Sequence, residues 1–514
     1  MDGGPRDLER QAAGVPYEDV DALIRRPARE PGERIYLERP EPRRRLSFAD
    51  LDRLTGRLAD LLADRGLQAN DRVALLGDNG PEWLIAFFGV QRYGATVAPL
   101  NVEVHANNLG RMLRDVAPRL VFWQKTLPEE VRALVRASGA EALTFDEIFD
   151  ALPRYPGRGE RRVGDPEDIA IVDYTSGTTA SPKGVCISHR AAFYMGRSLV
   201  ERLGIRPRDR LLEYRSLAWA SPQCLSLGPS LQAGARLVLA PRFSRRAFFG
   251  WIQTHAVTIA AGVPTVFAML LEEPVTLRAD ALRSVRFVTS SAAPLAPETQ
   301  RAFEARYGVR ILQGCGMTEA GFMAINPPDA PRPGSIGPAV PYLTARFVDE
   351  AGAPCPPGRE GELVVSGPSM ASAYLEEGRL VPIPRDGFPT GDLGYADADG
   401  YLYLTGRKKD LIIRGGVNVA PMEITTVLLA HPAVAEAATI GVPDPLYGEA
   451  IASFVVPRPG ADVTPADLLA HCRTRLSEFK LPRHVLVVDA IPKNERGKVA
   501  RGALHALWQE LAPA

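Results

Sequence analysis

The chain has 514 residues, 46% of them hydrophobic, which is too long for one ordinary core and predicts two or more folding units. Lys plus Arg and Asp plus Glu each number 61, a balance that excludes a broad basic field for nucleic acid or anionic lipid, so any anionic partner must be held locally. Residues 1–20 mix charges and lack the apolar run of a secretory leader, and no later stretch reads as a membrane span, so neither targeting nor anchoring to a bilayer is expected.

In chain order, residues 46–121 alternate helical periods with short apolar runs. "FADLDRLTGRLADLLADRGL" carries leucines at helix spacing, "RVALLG" reads as a buried strand, "PEWLIAFFGVQRYGA" as a second helix and "ATVAPLN" as a second strand. The pattern resumes at "DIAIVDYT", "RLVLA", "TIAAGVP" and "SVRFVTSSAAP", predicting mostly parallel sheets covered by helices. After Gly334 the text changes to strand, Gly/Pro turn and strand in "ARFVDEAGAPCPPGREGELVVSG", with a second hairpin at "GYADADGYLYLTGR", which predicts a small antiparallel, barrel-like subdomain. Residues 330–341, rich in Pro and Gly, read as ordered turns. Beyond Arg407 about a hundred residues with their own strands ("AATIGV", "IASFVVP") and helix ("PADLLAHCRTRL") are long enough for a separate small α+β domain. The expected division is an α/β domain over residues 1–408 and a second domain over residues 409–514.

The densest chemical signal is "YTSGTTASPKGV", residues 174–185, after the strand "DIAIV" and ahead of helical text near Arg190. Its Ser, Thr and Gly offer hydroxyls and backbone amides to a triphosphate and Lys183 adds a compact positive charge, although the spacing is not that of a Walker loop. The five cysteines, Cys186, Cys224, Cys315, Cys355 and Cys472, are scattered and form no CxxC pair, which suits a reducing cytoplasm and leaves zinc without a binding pattern.

With "GCGMTEAG" (residues 314–321), "TGDLGYADADGYLYLTGRKKDLIIRGGVNVAPMEI" (residues 390–424) and "PKNERGKVAR" (residues 492–501), the loop makes four motifs in order. In these the chain resembles the adenylate-forming superfamily of acyl-CoA synthetases, firefly-type luciferases and peptide-synthetase adenylation domains, over nearly its whole length. The resemblance implies an AMP-forming acid–coenzyme A ligase using ATP and Mg²⁺. It implies that Thr175, Ser176, Gly177, Thr178, Thr179 and Lys183 hold the β- and γ-phosphates, that Ala292, Ala293, Gly314, Cys315, Gly316 and Met317 border the nucleotide, and that Thr318 touches the α-phosphate. Glu319, with Thr178, would hold the metal; Asp392 would accept the ribose hydroxyls, with Arg407 beside it. Lys498 would be a mobile catalytic lysine bridging the acyl carboxylate and the α-phosphate. The small C-terminal domain would rotate about Lys409 and Asp410, after which Arg414, Gly415 and Gly416 would line the thiol tunnel.

The sequence departs from that pattern at two places. Cys315 stands where the family stacks an aromatic ring on adenine, and Ala180 stands where a glycine is common in the phosphate loop. The stretch "EYRSLAWASPQCLSLGPSL", residues 213–231, falls where relatives place an acyl gate, for which Trp219 is the candidate. No Asp stands in it to pair with an α-ammonium, which disfavours an amino acid. Small residues at Ala292, Ala293, Gly314, Cys315, Gly316 and Ala320 predict room for a broad aryl, alicyclic or terpenoid acid. His189 matches a position near the active site of relatives. The text after Lys498 holds no phosphopantetheine-carrying domain, so the expected acceptor is coenzyme A, with a stand-alone carrier protein as the alternative; a nucleotide-binding regulator without turnover is the reading from another class.

Overall fold

The structure, a computed structural model, describes residues 14–157, 164–175, 182–272, 275–278, 280–494 and 498–511. Two eight-stranded sheets dominate it. In the first, strands Ile311–Met317, Phe287–Ser290, Ile259–Ala260, Arg210–Glu213, Arg236–Leu239 and Ile35–Arg39 run parallel in that order, with Gly321–Ile325 and Arg44–Ser47 antiparallel at the two edges. In the second, Ile169–Tyr174, Thr96–Pro99, Arg72–Leu76, Leu120–Trp123 and Glu141–Thr144 run parallel, extended antiparallel by Gly184–Ser188, Ala373–Glu376 and Arg379–Pro382.

The largest apolar core lies between these sheets and takes side chains from both, such as Leu211, Leu237 and Phe287 against Val97, Phe122 and Ile187. The helix Pro81–Tyr93 is buried along almost its whole length and contributes to that core, as expected of a helix apolar on every side. Separate cores cover the outer faces. Helices Ala106–Val116 and Glu129–Ala137 pack on the second sheet, and Arg245–His255, Pro264–Glu272 and Pro297–Tyr307 pack on the first.

The expected subdomain takes the form of one four-stranded antiparallel sheet, Thr344–Val348, Gly361–Ser366, Phe388–Ala396 and Leu402–Arg407. Residues 330–341 are ordered by their own hydrogen bonds: Asn326 Nδ2 donates to the Ser335 carbonyl at 2.9 Å, and the Ile336 N–H donates to the Leu402 carbonyl at 2.9 Å. From Ile412 on, a five-stranded sheet with its own two small cores forms the C-terminal lobe.

Two strands near the phosphate loop stand among those not expected from the sequence. Gly184–Ser188 follows the phosphate-loop text and folds back on Ile169–Tyr174, with Tyr174 opposite Gly184, so the loop closes a hairpin before the helix His189–Leu203 begins. The Thr175 N–H donates to the Lys183 carbonyl at 3.0 Å across its base. Ala373–Glu376 then adds to the free edge of Gly184–Ser188. Among the described residues no helix is long and apolar enough to cross a membrane.

Candidate active site

Asp392 and Arg407 stand directly opposite each other on the antiparallel strands Phe388–Ala396 and Leu402–Arg407. Arg407 Nε donates to Asp392 Oδ1 at 2.7 Å. The carboxylate is 4% exposed while the guanidinium remains open to solvent. Burial pushes the Asp392 pKa above its ordinary value, against Arg407, Lys498 and Lys409, whose charges pull it down. A cavity of about 350 Å³ opens beside the pair, lined by Thr390, Gly391, Arg407, Lys408 and Lys409. Its basic walls and the adjacent buried carboxylate suit a polar, negatively charged ligand carrying hydroxyls.

Lys498 acts on this same carboxylate although it lies on the C-terminal lobe. Its charge is felt by Asp392 and by Cys315. The residue is held through its backbone. Its N–H donates to Asn494 Oδ1 at 3.0 Å, the Asn494 N–H donates back to the Lys498 carbonyl at 2.8 Å, and Lys493 pairs with Val499. Arg501, at the start of the last helix, reaches Asp410 Oδ2 at 3.4 Å. Burial lowers the Lys409 pKa, helped by repulsion from Arg407.

The hairpin formed by Ile311–Met317 and Gly321–Ile325 turns through Thr318, Glu319 and Ala320. Glu319 is buried at 9% exposure and its Oε1 accepts from the Tyr374 hydroxyl at 2.9 Å. Burial, then the Glu319 charge, holds the Tyr374 phenol well above its usual range, so it stays a donor. Lys183 Nζ pairs with Glu376 Oε1 at 2.8 Å and stands 5.1 Å from the Tyr374 ring centroid. Among the described residues no group of three or more His, Cys, Asp or Glu side chains is arranged to hold a metal ion. A single hard carboxylate suits Mg²⁺ shared with phosphate oxygens and water.

A Cβ on Gly314 would lie 2.8 Å from Ile325, and one on Gly316, itself exposed, would lie 2.5 Å from the Gly321 carbonyl oxygen. These glycines allow the hairpin strands to close on each other. Ala320 is buried in the main core. Ala292 is exposed, with φ of 72°, a conformation unusual for a residue with a Cβ and one that clusters at functional sites; Ala293 beside it is half-buried. Burial pushes the Cys315 thiol up to about 12, the behaviour of an inert side chain. Met317 ends its strand half-buried, next to the half-buried Thr318.

Trp219 is half-buried against the outer core of the second sheet. His189 is buried, burial lowers its pKa, and it lines a cavity of about 70 Å³ with Met195, Gln223 and Cys224. Gly415 and Gly416, at φ of 58° and 82°, form the two-residue turn between Arg414 and Val417 that tight hairpins require. Arg414 Nη1 donates to the Phe479 carbonyl at 2.7 Å. Ser176, Gly177, Thr178, Thr179 and Ala180 lie outside the described residues, so the metal role of Thr178 and the cost of Ala180 have no geometry here. Sequence reasoning did not single out Tyr374, which stands between Glu319 and Lys183.

The fold and the basic cavity beside Asp392 and Arg407 suit an enzyme that handles a nucleotide. Residues 23–375 match the model of the AMP-binding enzyme family, and residues 423–498 match its C-terminal domain. The sulfoacetate–CoA ligase of Cupriavidus necator is 35% identical, over 94% of this chain and 97% of its own. ATP-bound MatB from Rhodopseudomonas palustris superposes with a TM-score of 0.88 at 30% identity, over 96% of this chain and all of that one. The o-succinylbenzoate coenzyme A synthetase MenE from Bacillus subtilis, in complex with ATP and magnesium, gives 0.81 at 28% identity, over 94% and 98%. The chain belongs to the AMP-binding enzymes, as an adenylate-forming protein of the acyl-CoA synthetase type.

Proposed function

We propose that the chain joins a carboxylic acid to AMP at the expense of ATP and then passes the acyl group to coenzyme A. In the first step an acid oxygen attacks the α-phosphorus, the bond to the β-phosphate oxygen breaks, and pyrophosphate leaves. In the second, the coenzyme A sulfur attacks the acyl carbon and AMP departs as the carbon–oxygen bond breaks. The observation that carries this reading is the buried Asp392, held by Arg407 at 2.7 Å beside a basic cavity of about 350 Å³, in a chain of the AMP-binding enzymes.

Two anions must meet in the first step, so the protein's work is positioning and charge stabilisation. Asp392 and Arg407 would hold the ribose, Lys183 and the loop hydroxyls of Thr175, Ser176, Thr178 and Thr179 the terminal phosphates, and Thr318 the α-phosphate. Lys498 would neutralise charge building between acid and α-phosphate. Glu319, with Thr178, would hold Mg²⁺ together with phosphate oxygens, and the ion would spread charge over the triphosphate. Lys183 is held by an exposed ion pair with Glu376. Such pairs contribute roughly 0.2–1 kcal/mol, so phosphate can displace the carboxylate at little cost.

Residues 1–408 would form the adenylating domain and residues 409–514 the mobile one, turning about Lys409 and Asp410 so that Arg414, Gly415 and Gly416 face the thiol. Scattered free cysteines support a reducing compartment, the cytoplasm. The substrate is a carboxylic acid other than an α-amino acid. The test is exchange of labelled pyrophosphate into ATP across aliphatic, aryl and polycyclic acids, followed by addition of coenzyme A. Acid-dependent exchange and an acyl thioester are expected. Thioester formed only on an added carrier protein would reject coenzyme A as acceptor, and no exchange with any acid would reject the enzyme reading.

A further inference from the structure

Tyr374 touches two groups that the proposed reaction uses separately. It lies on Ala373–Glu376, opposite Val185 of the strand that leaves the phosphate loop. Its hydroxyl donates to Glu319 Oε1 at 2.9 Å, and the Lys183 ammonium stands over its ring, 5.1 Å from the centroid. Glu376, two residues on and therefore on the same face of the strand, holds the other side of Lys183 at 2.8 Å.

We propose that Tyr374 is a positioning residue for adenylation, its hydroxyl fixing the Glu319 carboxylate and its ring fixing the Lys183 ammonium, so that metal and phosphate contacts are set by one side chain. This rests on reading Glu319 as the metal carboxylate and Lys183 as a phosphate ligand. The hydroxyl occupies one carboxylate oxygen and leaves the other for the ion. A carboxylate already held in one orientation loses less freedom when the ion binds. Partners that orient a ligating side chain in this way contribute about 10- to 100-fold to metal affinity. The ring supplies a cation–π contact that keeps Lys183 beside the loop when nucleotide is absent.

The two contacts separate by substitution. Tyr374→Phe removes the hydroxyl and keeps the ring, whereas Tyr374→Leu removes both. Mn²⁺ binding, followed by electron paramagnetic resonance with a nonhydrolysable ATP analogue present, is expected to weaken about tenfold in Tyr374→Phe. Binding of the same analogue in excess EDTA should be unchanged in Tyr374→Phe and weaker in Tyr374→Leu. Glu319→Gln is the control and should lose Mn²⁺ affinity more deeply than either. Wild-type Mn²⁺ affinity in Tyr374→Phe, with Glu319→Gln impaired, overturns the role of Tyr374 and leaves the reading of Glu319 standing. Wild-type Mn²⁺ affinity in Glu319→Gln overturns that reading itself. Should Tyr374→Leu fail to fold, the Tyr374→Phe arm still decides, because its ring fills the same space.

Discussion

Asp392 is costly to keep ionised where it lies, and the cost has a direction in pH. Burial raises its pKa in the folded chain, so the ionised form is penalised by folding; that penalty is present at neutral pH and relieved as pH falls through the raised pKa. Ligand binding runs the other way, because a protonated Asp392 is a poorer acceptor for ribose hydroxyls. ATP affinity, measured by calorimetry between about pH 4 and pH 8, should therefore fall at a higher pH than an ordinary carboxylate would give. Asp392→Asn should remove that acid limb and weaken binding by about 1.5–3 kcal/mol at neutral pH. An unchanged profile would remove Asp392 from the nucleotide site. At Cys315 a ring is missing where relatives stack one, and a stacked pair is worth roughly 0.5–1.5 kcal/mol. Cys315→Tyr should lower or preserve the KM for ATP; a large rise would count against this placement of the base. Motifs with fixed spacing singled out Glu319, Asp392, Arg407 and Lys498, and of these the structure pairs Asp392 with Arg407. Tyr374 was illegible because its meaning comes from a strand pairing between distant segments. Smallness at Gly314 and Gly316 also answers to two strands in close contact, which the sequence does not reveal.

The helix Pro81–Tyr93 was legible as a helix, and its burial follows from the apolar residues on every side of it. Trp83 is 1% exposed and stacks on Phe87 with ring centroids 5.1 Å apart. Trp83→Ala should cost about 3–5 kcal/mol of stability, read from denaturant unfolding, since the cavity would lie in the core shared by both large sheets. A loss below about 1 kcal/mol would mean that the two sheets do not depend on this helix for their packing. Strands gave a mixed result. Several flanked by helical text were readable, whereas Arg379–Pro382 was not: all four of its residues are exposed, so it shows no alternation for a pattern to register. Gly184–Ser188 was missed for another reason. Its five buried residues form a short apolar run beside a conspicuous polar loop, and such a run does not reveal its partner.

At the scale of the whole molecule, the change of text after Arg407 marks where the sheets of the large domain end and a separate five-stranded sheet begins. What the sequence alone could not supply was the placement of the tail. Lys498 lies about a hundred residues beyond Asp392, whose pKa its charge pulls down from the C-terminal lobe. Propensity and periodicity are local, and they do not say how one lobe packs on another. The direct test divides the reaction in two for Lys498→Ala. The account predicts that acid-dependent exchange of labelled pyrophosphate into ATP is abolished, while synthetic acyl-adenylate and coenzyme A are still converted to thioester. Exchange at the wild-type rate in Lys498→Ala would contradict it.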